Sequence, residues 1–436
     1  MTSSSFKVVE AKIIASLKKR HLKEKIFKNS GLASIILSLI FLTVLFGSII
    51  KNGHSAFFTH QILLEIDLSK NALEKNLEDG NINQLSNEEI ADQISYRGLI
   101  KNALWQYFPD IAESRKNALY SIISSNASAL LKKEIVKNPN LIGSKPKFKL
   151  KLSSHADIYL KGKITEDVAE ESRNISDEQI TFIKSLQDRQ KIIRNFNWEL
   201  FTNSDSREPE SAGMKASIIG SFFIIIIVLL VAFPIGVMSA LYLEELAPKN
   251  LITDIIEISI NNLAAIPSII FGLLGLVVYL NFFGIERSSS LVGGLTLALL
   301  VLPIIIIASR SAIRTIPSGV KDAATALGAS KIQVMLHHTL PLSMPGIMTG
   351  TILAISRALG ETAPLLMIGM VAFVANAPSH FTDPATAMPV QIYLWSDSSE
   401  AGFAEKTAAA IIVLLGFLIT FNGIAVYLRK KFERKW

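Results

Sequence analysis

Apolar residues gather in six long runs separated by polar stretches. The runs cover roughly 31–50, 216–243, 257–283, 291–312, 346–375 and 407–428. A membrane helix needs about 20 predominantly apolar residues, so each run predicts a span. The first run follows the basic stretch KKRHLKEKIFK, which predicts that residues 1–30 stay on the cytoplasmic side. That run is long for a signal core and no A-x-A site follows it, so it reads as an uncleaved span. Six spans bring the basic tail 429–436 back to the cytoplasm. The loop 313–345 then faces inward with Arg314, Lys321 and Lys331, while 53–213 falls outside, in a periplasm if the host has one.

The segment 53–213 has a different pattern. Residues 60–135 read as mainly helical, with Ile90, Ile94, Leu99 and Leu104 at near-helical spacing. Between 146 and 164 the pattern alternates through Phe148, Leu150 and Leu152, then Ile158, Leu160 and Ile164. This predicts a strand pair broken near Ser153 and Ser154. Ser176 and Gln179 form a capping-box pattern that opens a helix through about Arg194. NSDSREPESAG, 203–213, reads as a polar exit linker. His54, His60 and His155 lack metal-ligand spacing and read as surface histidines. The expected fold is mainly α: a polytopic membrane protein with six transmembrane helices, an external α+β insert at 53–213 large enough for an independent domain, and a membrane core at 214–428.

Composition sharpens this picture. Of 436 residues 50% are apolar and only 19% charged, with a mean hydropathy of +0.38. Soluble domains carry about 25% charged residues, so this balance argues against a soluble protein. Cysteine is absent, which removes disulfide scaffolds, thiolate metal sites and thiol catalysis. The net charge is +7, yet residues 53–213 hold 21 Lys/Arg against 23 Asp/Glu. The positive excess therefore flanks the spans, as retention at a lipid bilayer requires, and does not form a nucleic-acid footprint. No phosphate-binding G-x-x-x-x-G-K-[ST] motif occurs, nor H-E-x-x-H or G-x-S-x-G, so an enzyme reading has no catalytic constellation to rest on. His337 and His338 are adjacent, so their rings diverge on a helix and do not chelate a metal.

The loop between spans four and five reads GVKDAATALGASKIQVMLHHTLPLSMPGI. Asp322, Ala323 and Ala324 are followed three residues later by Gly328, and after nine more by a tetrapeptide ending Leu340-Pro341. The Ala-rich segment favours helix. Gly328 permits a sharp turn. A second helix, about 330–338, is expected to end at Pro341 and Pro345. This spacing resembles the EAA loop of type I ABC importer permeases, E-A-A-x₃-G-x₉-I-x-L-P. Asp322 stands for the usual Glu and His338 for the usual aliphatic residue. FPIGVMSALYLEELAP (233–248), NNLAAIPSIIFGLLGL (261–276) and SRALGETAPLL (356–366) are similar to signature segments of the PstA phosphate permeases, a MetI-like family. The likeness covers about 212–432, and the external segment resembles the longer N-terminal region of one subgroup.

The resemblance implies a non-enzymatic permease subunit of the bacterial inner membrane, with no cofactor of its own. Its expected partners are phosphate, a second permease subunit, an ATP-binding subunit dimer and a periplasmic phosphate-binding protein. Asp322, Ala323, Ala324, Gly328, Leu340 and Pro341 would couple it to the ATPase. Another oxyanion (sulfate, molybdate, phosphonate) remains an alternative substrate. So does a membrane sensor, although only about eight residues follow the last span, where a sensor would append an effector.

Within the spans, Arg357 and Glu361 lie four residues apart and are expected on one helical face. Charges at that depth are costly unless paired or wet, which marks them for the translocation path or for a structural ion pair. Pro267 interrupts the third run, and Pro234 with Gly236, and Pro303, interrupt the second and fourth. Such breaks free backbone groups that must face protein or a watery cavity. Asn261 and Asn262 precede Pro267 and are candidates to bond across helices or line the path. Ser309-Arg310-Ser311 reads as an interfacial anchor.

Overall fold

The computed structural model describes residues 3–74, 76, 87–370 and 373–432. Parts of four expectations lie outside the described residues: 75 and 77–86 of the helical stretch, 371–372 of the fifth span, and the terminal residues 1–2 and 433–436 of the two basic ends. The chain divides into two compact units, Met1–Asn52 and Gly53–Trp436.

The first unit is a single helix, α1 (Ser3–Gly53). Its apolar half satisfies its own hydroxyls. Ser30, Ser34, Ser38 and Thr43 each donate to a carbonyl one turn back, which lets polar residues sit in an apolar setting.

In the second unit, the described residues of 53–213 build three strands and a set of short helices. The strands are β1 (Phe58–Glu65), β2 (Lys147–Lys151) and β3 (Ile192–Phe196), in the antiparallel order β2-β1-β3. The central strand pairs Ile62 with Leu150 on one side and with Ile192 on the other. The helices are α2 (Lys70–Glu74), α3 (Asn87–Gln93), α4 (Tyr96–Trp105), α5 (Lys116–Tyr120), α6 (Ala127–Lys137), α7 (Ser154–Leu160), α8 (Asp177–Asp188) and α9 (Glu199–Thr202). Ile62, Leu64, Leu150, Leu131, Ile135, Ile183 and Leu186 meet in one buried cluster.

The structure revises several local expectations here. β1 overlaps the start of the stretch read as helical: Ile62 and Leu64 are buried at 0% exposure on one face, with half-buried Leu63 on the other. Residues 154–160 form a helix and not a second strand. Ala156, Asp157 and Ile158 are all buried, which a period of two does not allow. The Ser176–Gln179 capping box is present, but its helix stops at Asp188 and the chain turns back as β3. The stretch 203–213 is no solvated linker. Glu210, Ser211 and Ala212 are buried, and a side chain at Gly213 would press on the backbone of Asn203.

The helices that follow are α10 (Lys215–Leu241), α11 (Leu251–Ala264), α12 (Ser268–Gly275), α13 (Ser290–Arg314), α14 (Ser318–Ala326), α15 (Lys331–Val334), α16 (Leu340–Gly360), α17 (Ala363–Met367), α18 (Met388–Ser396) and α19 (Ala401–Phe432). Among the described residues, five helical stretches are long and apolar enough to cross a membrane, and α11 with the helix starting at Ser268 makes a sixth if that bent pair is one span. Small residues let the spans approach closely. Gly294 lies against Ile227 of α10, and on α16 Gly346 and Gly350 lie against Ala312 and Ala308 of α13.

Proline behaves less uniformly than expected. Pro234 and Pro303 sit inside continuous helices, because a membrane helix tolerates one lost N–H bond. Pro267 instead takes an extended ψ of 137° and caps α12, so the chain bends by 102°. Pro341 and Pro345 do not end a helix. A π turn, Met335–Thr339, joins α15 to α16, and the helix runs on through both prolines to Gly360. The fifth span is therefore Lys331–Gly360 in place of 346–375.

Residues 53–213 pack on α19 and cluster in one unit with the membrane core. Charges fill the seam. Glu405 accepts from Lys161 (2.6 Å), Lys163 (3.1 Å) and Ser55 (2.8 Å). Lys161 also meets Asp157 at 2.6 Å. Asp157 lies 2.9 Å from Nδ1 of His60, so His60 is a partly buried, paired residue and not a surface histidine. Burial alone would raise the Asp157 carboxyl, but the hydrogen bond from His60 and the charge of Lys161 hold it below the ordinary carboxylate range. Buried Lys151 meets Glu199 at 2.7 Å, and buried Lys406 donates to the carbonyl of Ala212.

Candidate functional site

The loop after α13 forms an elbow. α14 carries Asp322, Ala323 and Ala324 in its second turn, with Asp322 and Ala323 exposed and Ala324 buried. The chain reverses at Gly328, whose φ of +89° lies in the left-handed region that side chains disfavour. A Cβ there would meet nothing within 4 Å, so Gly is required by backbone conformation and not by crowding. Ser330 and Gln333 then form a capping box that starts α15. Leu327 at the tip is 90% exposed, and Ile332 and Leu336 follow along the same loop, also exposed. Leu340 and Pro341 lie inside the continuous helix and are half-buried. The elbow is thus two short helices at a rigid turn, with an uncovered apolar tip.

An ion cluster ties this elbow to the core. Lys321 of α14 reaches Glu245 at 2.5 Å. Arg310 of α13 pairs with Glu244 at 2.5 Å and with Glu257 of α11, and Arg314 reaches Glu244 at 2.8 Å. Glu244 and Glu245 sit in a π turn, Tyr242–Leu246, that extends α10. Arg310 is buried at 7% exposure, so it is held within protein and is no interfacial anchor. Buried charges must be paired: Glu244 takes donors from both arginines, and Arg310 divides its guanidinium between Glu244 and Glu257. Sequence reasoning passed over Glu244, Glu245 and Glu257. Their signal was present: acidic residues at the ends of apolar runs with Arg310 and Arg314 at the end of another.

Arg357 and Glu361 do meet, at 3.4 Å. They do not share a helical face. α16 ends at Gly360, and Glu361 follows in an extended conformation with ψ 124°. The break falls in the Gly360–Pro364 segment, where Gly360 is the last helical residue and Pro364 lies in the first turn of α17. Arg357 keeps 47% of its side chain exposed and Glu361 18%, so the guanidinium has room for a further partner. Asn262 and Asn261 are exposed on α11, and Pro267 is exposed at the bend beside them. Within this chain the structure does not bring them to Arg357 by any hydrogen bond among the described residues.

Residues 232–434 match the family described as binding-protein-dependent transport system inner membrane component. Residues 14–170 match a domain of unknown function, DUF3333, a match that stops before β3 completes the sheet. The phosphate transport system permease protein PstA of Haemophilus influenzae is 31% identical over 245 residues, 56% of this chain and 84% of that protein. PstA of Yersinia pestis is 30% identical, over 55% of this chain and 81% of its own length. The probable ABC transporter permease YqgI of Bacillus subtilis is 29% identical over 56% of this chain and 86% of its length. The chain belongs to this permease family. It is an ABC importer permease of the MetI type, a transport subunit and not an enzyme; in such systems the ATPase is a separate subunit. In this permease the family match begins within α10 and runs through the elbow, the ion cluster and the Arg357–Glu361 pair to α19.

Proposed function

We propose that this permease is a subunit of an ATP-driven importer of inorganic phosphate, set in a bacterial inner membrane with both ends in the cytoplasm and residues 53–213 outside. The observation that carries the phosphate reading is the 31% identity to a phosphate transport permease over 84% of that protein's length. Its working partners are a second permease subunit, an ATP-binding subunit dimer and a periplasmic phosphate-binding protein.

The elbow at Gly328 is the ATPase contact in this reading. Its exposed Leu327, Ile332 and Leu336 offer an apolar surface to a partner cleft. Movement of α14 passes through Lys321 to Glu245, and so to α10, while α15 is continuous with α16. One end of that 30-residue helix therefore carries the elbow and the other carries Arg357. Arg357 offers the anion a cation along the path, and Glu361 holds the guanidinium between passages. Direct and lasting ligation is disfavoured because Glu361 repels a phosphate.

The test uses the assembled complex in proteoliposomes with its binding protein. ATP hydrolysis should rise with phosphate and stay flat with sulfate or molybdate. Equal stimulation by sulfate defeats the phosphate reading. Gly328→Val forces a β-branched residue into the left-handed region, at a cost of about 1–2 kcal/mol. It should leave the chain in the membrane but uncouple hydrolysis from uptake. Wild-type uptake in that variant defeats the docking role.

A further inference from the structure

Five aromatic rings gather at one end of the three-stranded sheet. Phe57 ends the turn His54–Phe57 that leads into β1, and Phe58 is the first residue of β1. Phe196, the last residue of β3, pairs with Phe58 across the sheet. Trp198 and Phe201 follow at α9. The rings touch in series. Phe58 meets Phe196 edge-on at 5.9 Å between centroids, and Phe196 meets Trp198 at 4.8 Å and Phe201 at 6.4 Å. Phe201 in turn stacks on Phe57 at 6.1 Å. The series is open on one side: Trp198 is 69% exposed and Phe196 40%. Among the described residues of the insert, the other large apolar side chains left so open are Val136 on α6 and Val168 between α7 and α8, far apart in the chain. A gathered, exposed aromatic patch of this kind marks a contact surface.

Continuity with the spans says what covers it. Phe57 and Phe201 pack against a buried cluster of Met214, Trp395, Phe403 and Ala409, and the same cluster takes in Ile218 of α10 with Val413 and Leu414 of α19. Ile218, Val413 and Leu414 lie inside the second and sixth apolar runs, on helices long and apolar enough to cross a membrane. The rings thus prolong the apolar surface of two spans, through Phe57 and Phe201, to Phe196 and Trp198. Backbone bonds hold α9 at the head of α10: Met214 donates to the carbonyl of Leu200 at 2.8 Å, and Lys215 to that of Asn203 at 3.0 Å. Two exposed cations border the patch. Arg194 stands 4.2 Å over the ring of Phe58, and Lys215 is the first residue of α10. Tryptophan beside Lys and Arg at the end of a span is the composition of a membrane–water border, where rings sit at headgroup level and cations meet lipid phosphates.

We propose that this aromatic face lies in the headgroup layer of the bilayer from which the insert rises, with Trp198 and Phe196 among the lipid carbonyls and Arg194 and Lys215 against lipid phosphates. The insert is then held at two places, by the charged seam on α19 and by lipid beneath the end of its sheet, and together these fix its tilt on the membrane. The assignment needs only the spans and holds whichever anion the importer carries.

The test reads tryptophan fluorescence of the full chain in nanodiscs of phosphatidylethanolamine and phosphatidylglycerol. Subtracting the signal of Trp198→Phe isolates Trp198, and this variant should melt with the wild type because it keeps a ring at a mostly exposed position. Lipids brominated near the headgroup end of their chains should quench the Trp198 signal more than lipids brominated at the chain ends, and acrylamide in the water should quench it least. Should Trp198→Phe melt lower, Thr202→Cys decides by the same quenchers: Thr202 is exposed one turn beyond Trp198, and the chain has no other cysteine to take a fluorescent label. Quenching by acrylamide and not by brominated lipid overturns the proposal in favour of a surface for a soluble partner. The lipid quenching should persist in the assembled importer. Its loss on assembly overturns the proposal too, in favour of a contact with the second permease subunit.

Discussion

Two ion-pair sites in this permease use the same chemistry in opposite ways. In the seam between the insert and α19, Glu405 takes donors from Lys161, Lys163 and Ser55 while its side chain is only 5% exposed. At the end of α16, Arg357 and Glu361 share one contact of 3.4 Å, and Arg357 is 47% exposed. The first site is saturated. Every charge has its partners, and no room is left for a ligand. The second is unsaturated, with donors to spare. A closed, satisfied cluster fixes structure, whereas an open pair can exchange one partner for another.

The sharpest break of this contrast is Glu405→Gln. It strips two lysines of a shared buried carboxylate, and losing one partner of a buried pair costs about 3–5 kcal/mol. Thermal unfolding of the purified chain should show a large drop. A loss no greater than that of Arg357→Gln would mean that the two sites do not differ in kind.

The middle test concerns the open pair. Arg357→Gln, Glu361→Gln and the double variant should each change stability by less than about 1 kcal/mol, the range of exposed pairs. Phosphate uptake should nevertheless fall in Arg357→Gln and stay low in the double variant, because an anion crossing the membrane still needs a positive partner on its path. Wild-type uptake in the double variant removes these residues from the path.

The smallest effect separates two aspartates of the insert. The hydrogen bond and cation that outweigh burial hold Asp157 below the ordinary range. Asp205 is pushed up by burial, although Nε1 of Trp395 donates to it at 3.0 Å. For Asp157 the folded state prefers the anion, so its stabilisation is complete above the unfolded value and fades as pH falls through the lowered one. For Asp205 the folded state prefers the proton, so ionisation costs stability above its raised value and nothing in acid. Asp205→Asn should therefore stabilise the chain at pH 7 by less than about 1 kcal/mol, and the gain should vanish on acidification. A gain independent of pH would remove the electrostatic explanation.

Much of the site was legible along the chain because its signals are local. The Asp322-Ala323-Ala324 to Gly328 spacing lies within about two turns of chain, and the left-handed φ at Gly328 is what a glycine there announces. The Ser176 cap read correctly for the same reason. The errors came where packing overrode a local rule. Pro341 and Pro345 read as stops, yet a π turn shifts the bonding register ahead of them and the helix continues. Arg357 and Glu361 have helical spacing, yet Gly360 ends the helix between them.

The sequence by itself determined that this protein lives in a membrane, how many apolar runs it has, and which permease family it joins. Run length, charge bias and motif spacing are properties of neighbouring residues, so no fold is needed to read them. Only the tertiary structure decided which charges meet. Lys161 and Glu405 are 244 residues apart, and Arg310 and Glu244 are 66 apart. Nothing in the local pattern of either residue names its partner. The partner is set by which helices pack, and the cost of burying an unpaired charge makes the packing and the pairing a single choice.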